Sequence, residues 1–78
     1  MGRKIDPQPA LGDAIRQLRN KRGLSQEDLA HAAGVTTGTV SAIERGSSNP
    51  TWGTVKDIAK ALDVSVPELA KRADAIEQ

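Results

Sequence analysis

The chain contains no cysteine, phenylalanine or tyrosine, and its one aromatic residue is Trp52. Without cysteine, neither a disulfide frame nor a thiolate metal site can supplement the core. Without large aromatics, the core must come from Leu, Ile, Val and Ala, whose compact side chains at close spacing favour packed helices. Long apolar runs are missing too, so no segment suits a bilayer span. The opening Met1-Gly2-Arg3-Lys4-Ile5-Asp6-Pro7 lacks the apolar stretch of a secretion signal, and a cytoplasmic protein with no membrane partner is expected. One histidine, no Gly-rich phosphate loop and no evident acidic pair leave nothing to act as nucleophile or base, so no enzyme, cofactor or metal is expected. His31 reads as a surface residue.

What is present fits one small domain, because 78 residues can close only a single modest core. Dimerisation is a natural source of further stability for such a chain. The formal charge is only +1, but it is unevenly spread. Residues 1 to 22 carry six basic side chains against Asp6 and Asp13, a local balance of +4, whereas residues 51 to 78 hold four basic against five acidic, a balance of −1. A polyanion would find one end attractive, although an exposed basic helix face is the ordinary reading of such charge.

Periodicity, caps and breakers divide the sequence into an arm and five helices, with no strand pattern. Residues 1–8 are expected to form an extended arm, 9–75 the folded domain and 76–78 a tail. Leu11, Ile15 and Leu18 make the stripe of the first helix, which Gly23 ends. Ser25, three residues before Asp28, caps the second helix, with Glu27 and Asp28 complementing its dipole. Leu29, Ala30 and Ala33 lead to Gly34. Thr36 or Thr37 then caps a third helix, carrying Val40 and Ile43 and closed by Gly46. Thr51 caps a fourth, with Val55, Ile58, Ala59 and Leu62 on one face and Trp52 expected in the core. A short last helix begins near Ser65, where Ser65 and Glu68 have capping-box spacing, with the stripe Val66, Leu69, Ala70 and Ala73.

Two short helices joined at Gly34 make a helix-turn-helix. Ala30 keeps their crossing close, and Gly34 can take the positive φ that the turn requires. A helical wheel for 36–45 puts Val40 and Ile43 inside and Gly38, Ser41, Ala42 and Arg45 outside. That small, polar exterior differs from the Lys and Glu of an ordinary solvated helix. It suits entry into a major groove about 12 Å wide, where Thr37 and Thr39 could touch bases or phosphates.

The segments Leu24-Ser25-Gln26-Glu27-Asp28-Leu29-Ala30, Ala33-Gly34-Val35-Thr36 and Val40-Ser41-Ala42-Ile43-Glu44-Arg45-Gly46 resemble the Cro/cI-type (XRE) helix-turn-helix family. Leu11-Gly12 with Ile15-Arg16-Gln17-Leu18-Arg19, Asn49-Pro50-Thr51 and the stretch from Ile58 to Ser65 extend the likeness over about residues 10 to 70. The resemblance implies an all-α, five-helix, lambda-repressor-like fold whose partner is double-stranded DNA. It also implies roles. Gln26 would bond a backbone phosphate at the second helix's N-terminus, while Thr37, Gly38, Ser41 and Ala42 would face base edges. Thr36, Thr39, Arg45, Ser47, Ser48 and Asn49 would lie along phosphates. Gly38 and Ala42 depart from members that carry longer amides there, so shape and water are expected to share the selectivity. The family often pairs residues placed like Arg19 and Glu44, and an ion pair between the first and third helices is expected.

Arg3 and Lys4 could enter a minor groove or merely raise nonspecific affinity. Val64, Val66, Leu69 and Ile76 exceed what one small core requires, and some are expected at a subunit interface. The leading expectation is a homodimeric repressor or activator, paired through its C-terminal helices, that reads a two-fold operator. The alternative is an interaction module or antitoxin of the same fold whose main partner is a protein.

Overall fold

The computed structural model describes residues 9–77, and the expectations for the arm, including Arg3 and Lys4, lie outside them. Five α-helices follow in order: α1 Pro9–Lys21, α2 Gln26–Ala33, α3 Thr37–Glu44, α4 Trp52–Ala61 and α5 Val66–Glu77. Among the described residues there is no strand, and no helix is long and apolar enough to cross a membrane. The fold is the all-α arrangement expected from the sequence.

The starts of α2 to α5 and the end of α2 have local causes. Ser25 and Asp28 form a reciprocal box: the Asp28 amide donates to Ser25 Oγ at 2.9 Å and the Ser25 amide donates to Asp28 Oδ2 at 2.9 Å. Ser65 and Glu68 repeat it at α5, at 3.0 and 3.1 Å. Thr36 Oγ1 and Thr51 Oγ1 accept the amides of Thr39 and Thr54, both at 3.1 Å. At the other end of α2, Gly34 adopts φ +71°, which lets the Val35 amide donate back to the Ala30 carbonyl at 3.0 Å.

Ile15, Leu18, Leu29, Val40, Ile43, Ile58, Leu62 and Leu69 are buried together with four alanines, Ala30 among them. α1 packs on α3 and α5, α2 on α3 and α4, and α4 on α5, so α1 and α2 together back α3. At Gly12 the approach of α1 to the end of α3 is so close that an added Cβ would lie 2.2 Å from the Ile43 carbonyl oxygen. A side chain has no room there.

The expectations for Trp52 and for the last helix need correction. Trp52 is 65% exposed, because it occupies the first turn of α4, which overhangs the edge of the core rather than crossing it. α5 runs over 12 residues, so it is not short, and Ile76 and Glu77 of the expected tail belong to it. Its inner face is Leu69, with Val66, Ala73 and Ile76 packed beside it, and Ala70 is exposed. Leu69 therefore belongs to the chain's own core.

Candidate nucleic-acid interface

The outward side of α3 is set by which of its residues the core claims. Val40, Ile43 and Glu44 are buried. Thr37, Gly38 and Arg45 are exposed, while Thr39, Ser41 and Ala42 are half-buried at the flanks. From Thr37 to Ala42 no long side chain rises on this face, and Arg45 alone reaches over it from the end of the helix. The small residues expected to meet a duplex therefore lie at the surface.

At the α3 N-terminus, Thr36 Oγ1 and Thr39 Oγ1 stand 2.9 Å apart and share a hydrogen bond, which fixes both hydroxyls beside the helix's free amides. At its other end, Gly46 adopts φ +72° and the chain turns back, with the Ser47 amide donating to the Ala42 carbonyl at 3.0 Å and Ser47 Oγ to the same oxygen at 3.1 Å. Ser48 is half-buried and Asn49 exposed, so residues 47–49 form a ledge beyond α3. Arg45 Nη1 donates to Ser41 Oγ, one turn earlier on the same helix. His31 is exposed on α2, and among the described residues no cluster of acidic or imidazole groups could hold a metal.

Beneath this surface lies a polar knot. Arg19 Nε donates to Glu44 Oε2 at 2.7 Å and Arg19 Nη2 to Glu44 Oε1 at 3.0 Å, a bidentate pair between α1 and α3. The side chains are only 12% and 3% exposed. Arg19 Nη1 donates to the Leu24 carbonyl at 2.8 Å, tying in the segment before α2. The Glu44 bonds raise the Arg19 pKa above the usual arginine value, although burial opposes them. Gln26, the first residue of α2, donates from Nε2 to Glu44 Oε1 at 3.1 Å. Glu44 thus connects α1, α2 and α3.

The Gln26 bond and the Gly12 contact escaped the sequence reading. The place of Gln26 at the start of α2 suggests a phosphate contact, and it carries no sign of a partner 18 residues away. Gly12 sits inside an amphipathic helix with no turn to explain it, and that anomaly was the available signal.

The helix-turn-helix family profile matches residues 15–69. Control protein C.SmaI from Serratia marcescens is 38% identical over 68 residues, which span 87% of this chain and 81% of that protein. The crystal structure of the restriction-modification controller protein C.AhdI from Aeromonas hydrophila aligns with a TM-score of 0.78 at 37% identity, covering 80% of this chain and 94% of that one. The clp gene regulator ClgR from C. glutamicum aligns with a TM-score of 0.87 at 28% identity, covering 96% and 97% respectively.

Proposed function

This chain belongs to the Cro/cI-type helix-turn-helix family of transcriptional regulators, which are not enzymes, and from that membership we propose that it binds operator DNA as a homodimer with α3 in the major groove. The observation that carries the proposal is the outward face of α3, small, polar and, among the described residues, free of any covering element. Thr37, Gly38, Ser41 and Ala42 are close enough to the helix surface for the backbone itself to approach base edges. Thr36, Thr39, Ser47, Ser48 and Asn49 flank that face and suit phosphate contacts, which fix register.

Gln26 fits a phosphate contact even though it bonds Glu44. A side-chain amide has two N–H donors, so one can stay on Glu44 while the other reaches outward beside the free amides of the α2 N-terminus. The buried pair would then hold Gln26 in place before DNA arrives. That spares part of the ordering cost on binding.

A second copy would be accommodated by the groove between the start of α1, the first turn of α4 and α5. Exposed Trp52 lines it together with Leu11, Val55, Val66 and Ala73, and Asp74 and Glu77 lie at its rim. A dimer joined there would present two α3 helices for half-sites about 34 Å apart. A controller-type role in a restriction-modification system is the specific biological setting to which the C.SmaI and C.AhdI likenesses lend most support.

The test is a two-stage binding experiment. Titration of a random-sequence duplex at rising salt should show affinity falling steeply with salt, and selection from a random duplex library should return a palindrome. Binding that ignores salt, or no binding at low salt, would instead favour the protein-partner reading.

A further inference from the structure

We propose that Arg45 reads a guanine in the major groove, with Ser41 as the positioning residue that holds its guanidinium over the α3 face. The inference deepens the DNA-binding reading and rests on it. The family resemblance alone sets Arg45 along the phosphates, and the geometry points elsewhere.

Arg45 follows the last residue of α3 with helical backbone angles, φ −77° and ψ −8°, so its side chain leaves the axis as the next helical residue would. At about 100° per residue, it projects roughly 20° from Gly38 and roughly 40° from Ser41. It therefore lies near the middle of the outward face, not at its edge. The bond from Nη1 to Ser41 Oγ folds the side chain back toward the helix N-terminus, along the face and away from the ledge at 47–49.

The surroundings leave that guanidinium uncovered. Gly38 has no side chain, a Cβ there would meet only Thr36 Oγ1 at 3.8 Å, and Ala42 offers a methyl. Among the described residues Arg45 has no carboxylate partner to neutralise it, unlike Arg16, Arg19 and Arg22. A guanidinium has five N–H donors, and the bond to Ser41 uses one. The remaining donors form a planar fork that matches two adjacent acceptors.

In the major groove only guanine presents such a pair, O6 beside N7. Adenine places a donor next to N7, cytosine presents a donor, and thymine pairs one acceptor with a methyl. A group that only donates must then prefer guanine. Gly38 and Ala42 suit this arrangement, since longer side chains would occupy the space into which the arginine folds.

The experiment selects bound fragments from a random duplex library with the full chain, R45A, R45K and S41A, after confirming equal helical signal by circular dichroism. The wild-type chain should select guanine at one position of each half-site. R45A and R45K should lose that guanine and keep the other positions. Replacing it by 7-deazaguanine, which lacks N7, should weaken wild-type binding about tenfold and leave R45A unaffected. S41A should blur the guanine preference, with guanine selected less sharply than by the wild-type chain.

The inference is overturned if R45A weakens all sequences by one common factor with a flatter salt dependence, or if R45K selects guanine as well as the wild type does. Either result would make Arg45 a phosphate contact. A wild-type chain that binds no duplex even at low salt would remove the DNA-binding reading itself, and this inference with it.

Discussion

Gly12 fixes how closely α1 can approach α3, because the backbone oxygen of Ile43 occupies the place of a Cβ. Gly12→Ala must push the helices apart, and overpacking of this kind costs about 1–3 kcal/mol. Urea unfolding should show the loss although alanine is the better helix former. Glu44 is the other residue on which the α3 setting depends. Glu44→Ala leaves Arg19 buried without its counter-charge and should cost about 3 kcal/mol, far above an exposed pair. In a double-mutant cycle with Arg19→Ala, the two losses should be strongly non-additive; additive losses would mean that the pair contributes nothing. Of this knot, the pairing of Arg19 with Glu44 was legible, since both lie at the buried edges of their wheels. The bonds to Leu24 and Gln26 were not, because they depend on how three helix ends meet, which no single wheel contains.

Helix boundaries were the most legible feature, and the reason is local chemistry. Ser25 with Asp28, and Ser65 with Glu68, carry their caps in their spacing, and Gly23, Gly34 and Gly46 all have positive φ where helices end. The end of α4 lacked such a mark. There Asp63 takes φ 59°, a conformation that aspartate tolerates and that its sequence position does not announce. The caps also make a pH prediction. Hydrogen bonds from the Ser25 and Ser65 amides, then from their hydroxyls, hold the Asp28 and Glu68 carboxyls below the usual carboxylate range. A depressed folded pKa contributes stability above the unfolded value, and that contribution is lost as pH falls through the folded one. Thermal unfolding should therefore be level from neutrality to about pH 5 and decline below about pH 4. The double variant Asp28→Asn, Glu68→Gln should show a shallower acid decline than the parent chain.

At the scale of the molecule, α3 presents a small polar face and one apolar groove is left open. Trp52 marks the second, and its exposure was not legible because a stripe on a wheel says which side a residue takes, not whether the helix still overlies the core at that turn. As the chain's one aromatic residue it also reports on assembly. Its emission should be that of an indole in water at high dilution and should shift to the blue as protein concentration rises. An unshifted spectrum in a dimer demonstrated by sedimentation would place the subunit contact elsewhere.

The outward α3 face is the claim on which the functional account turns, and a nitrogen-15 NMR titration with a short duplex at low salt tests it residue by residue. The amides of Thr37, Gly38, Ser41 and Ala42, with Gln26 at the start of α2, should shift most. Shifts confined to α4 and α5, with α3 unmoved at saturating duplex, would contradict it.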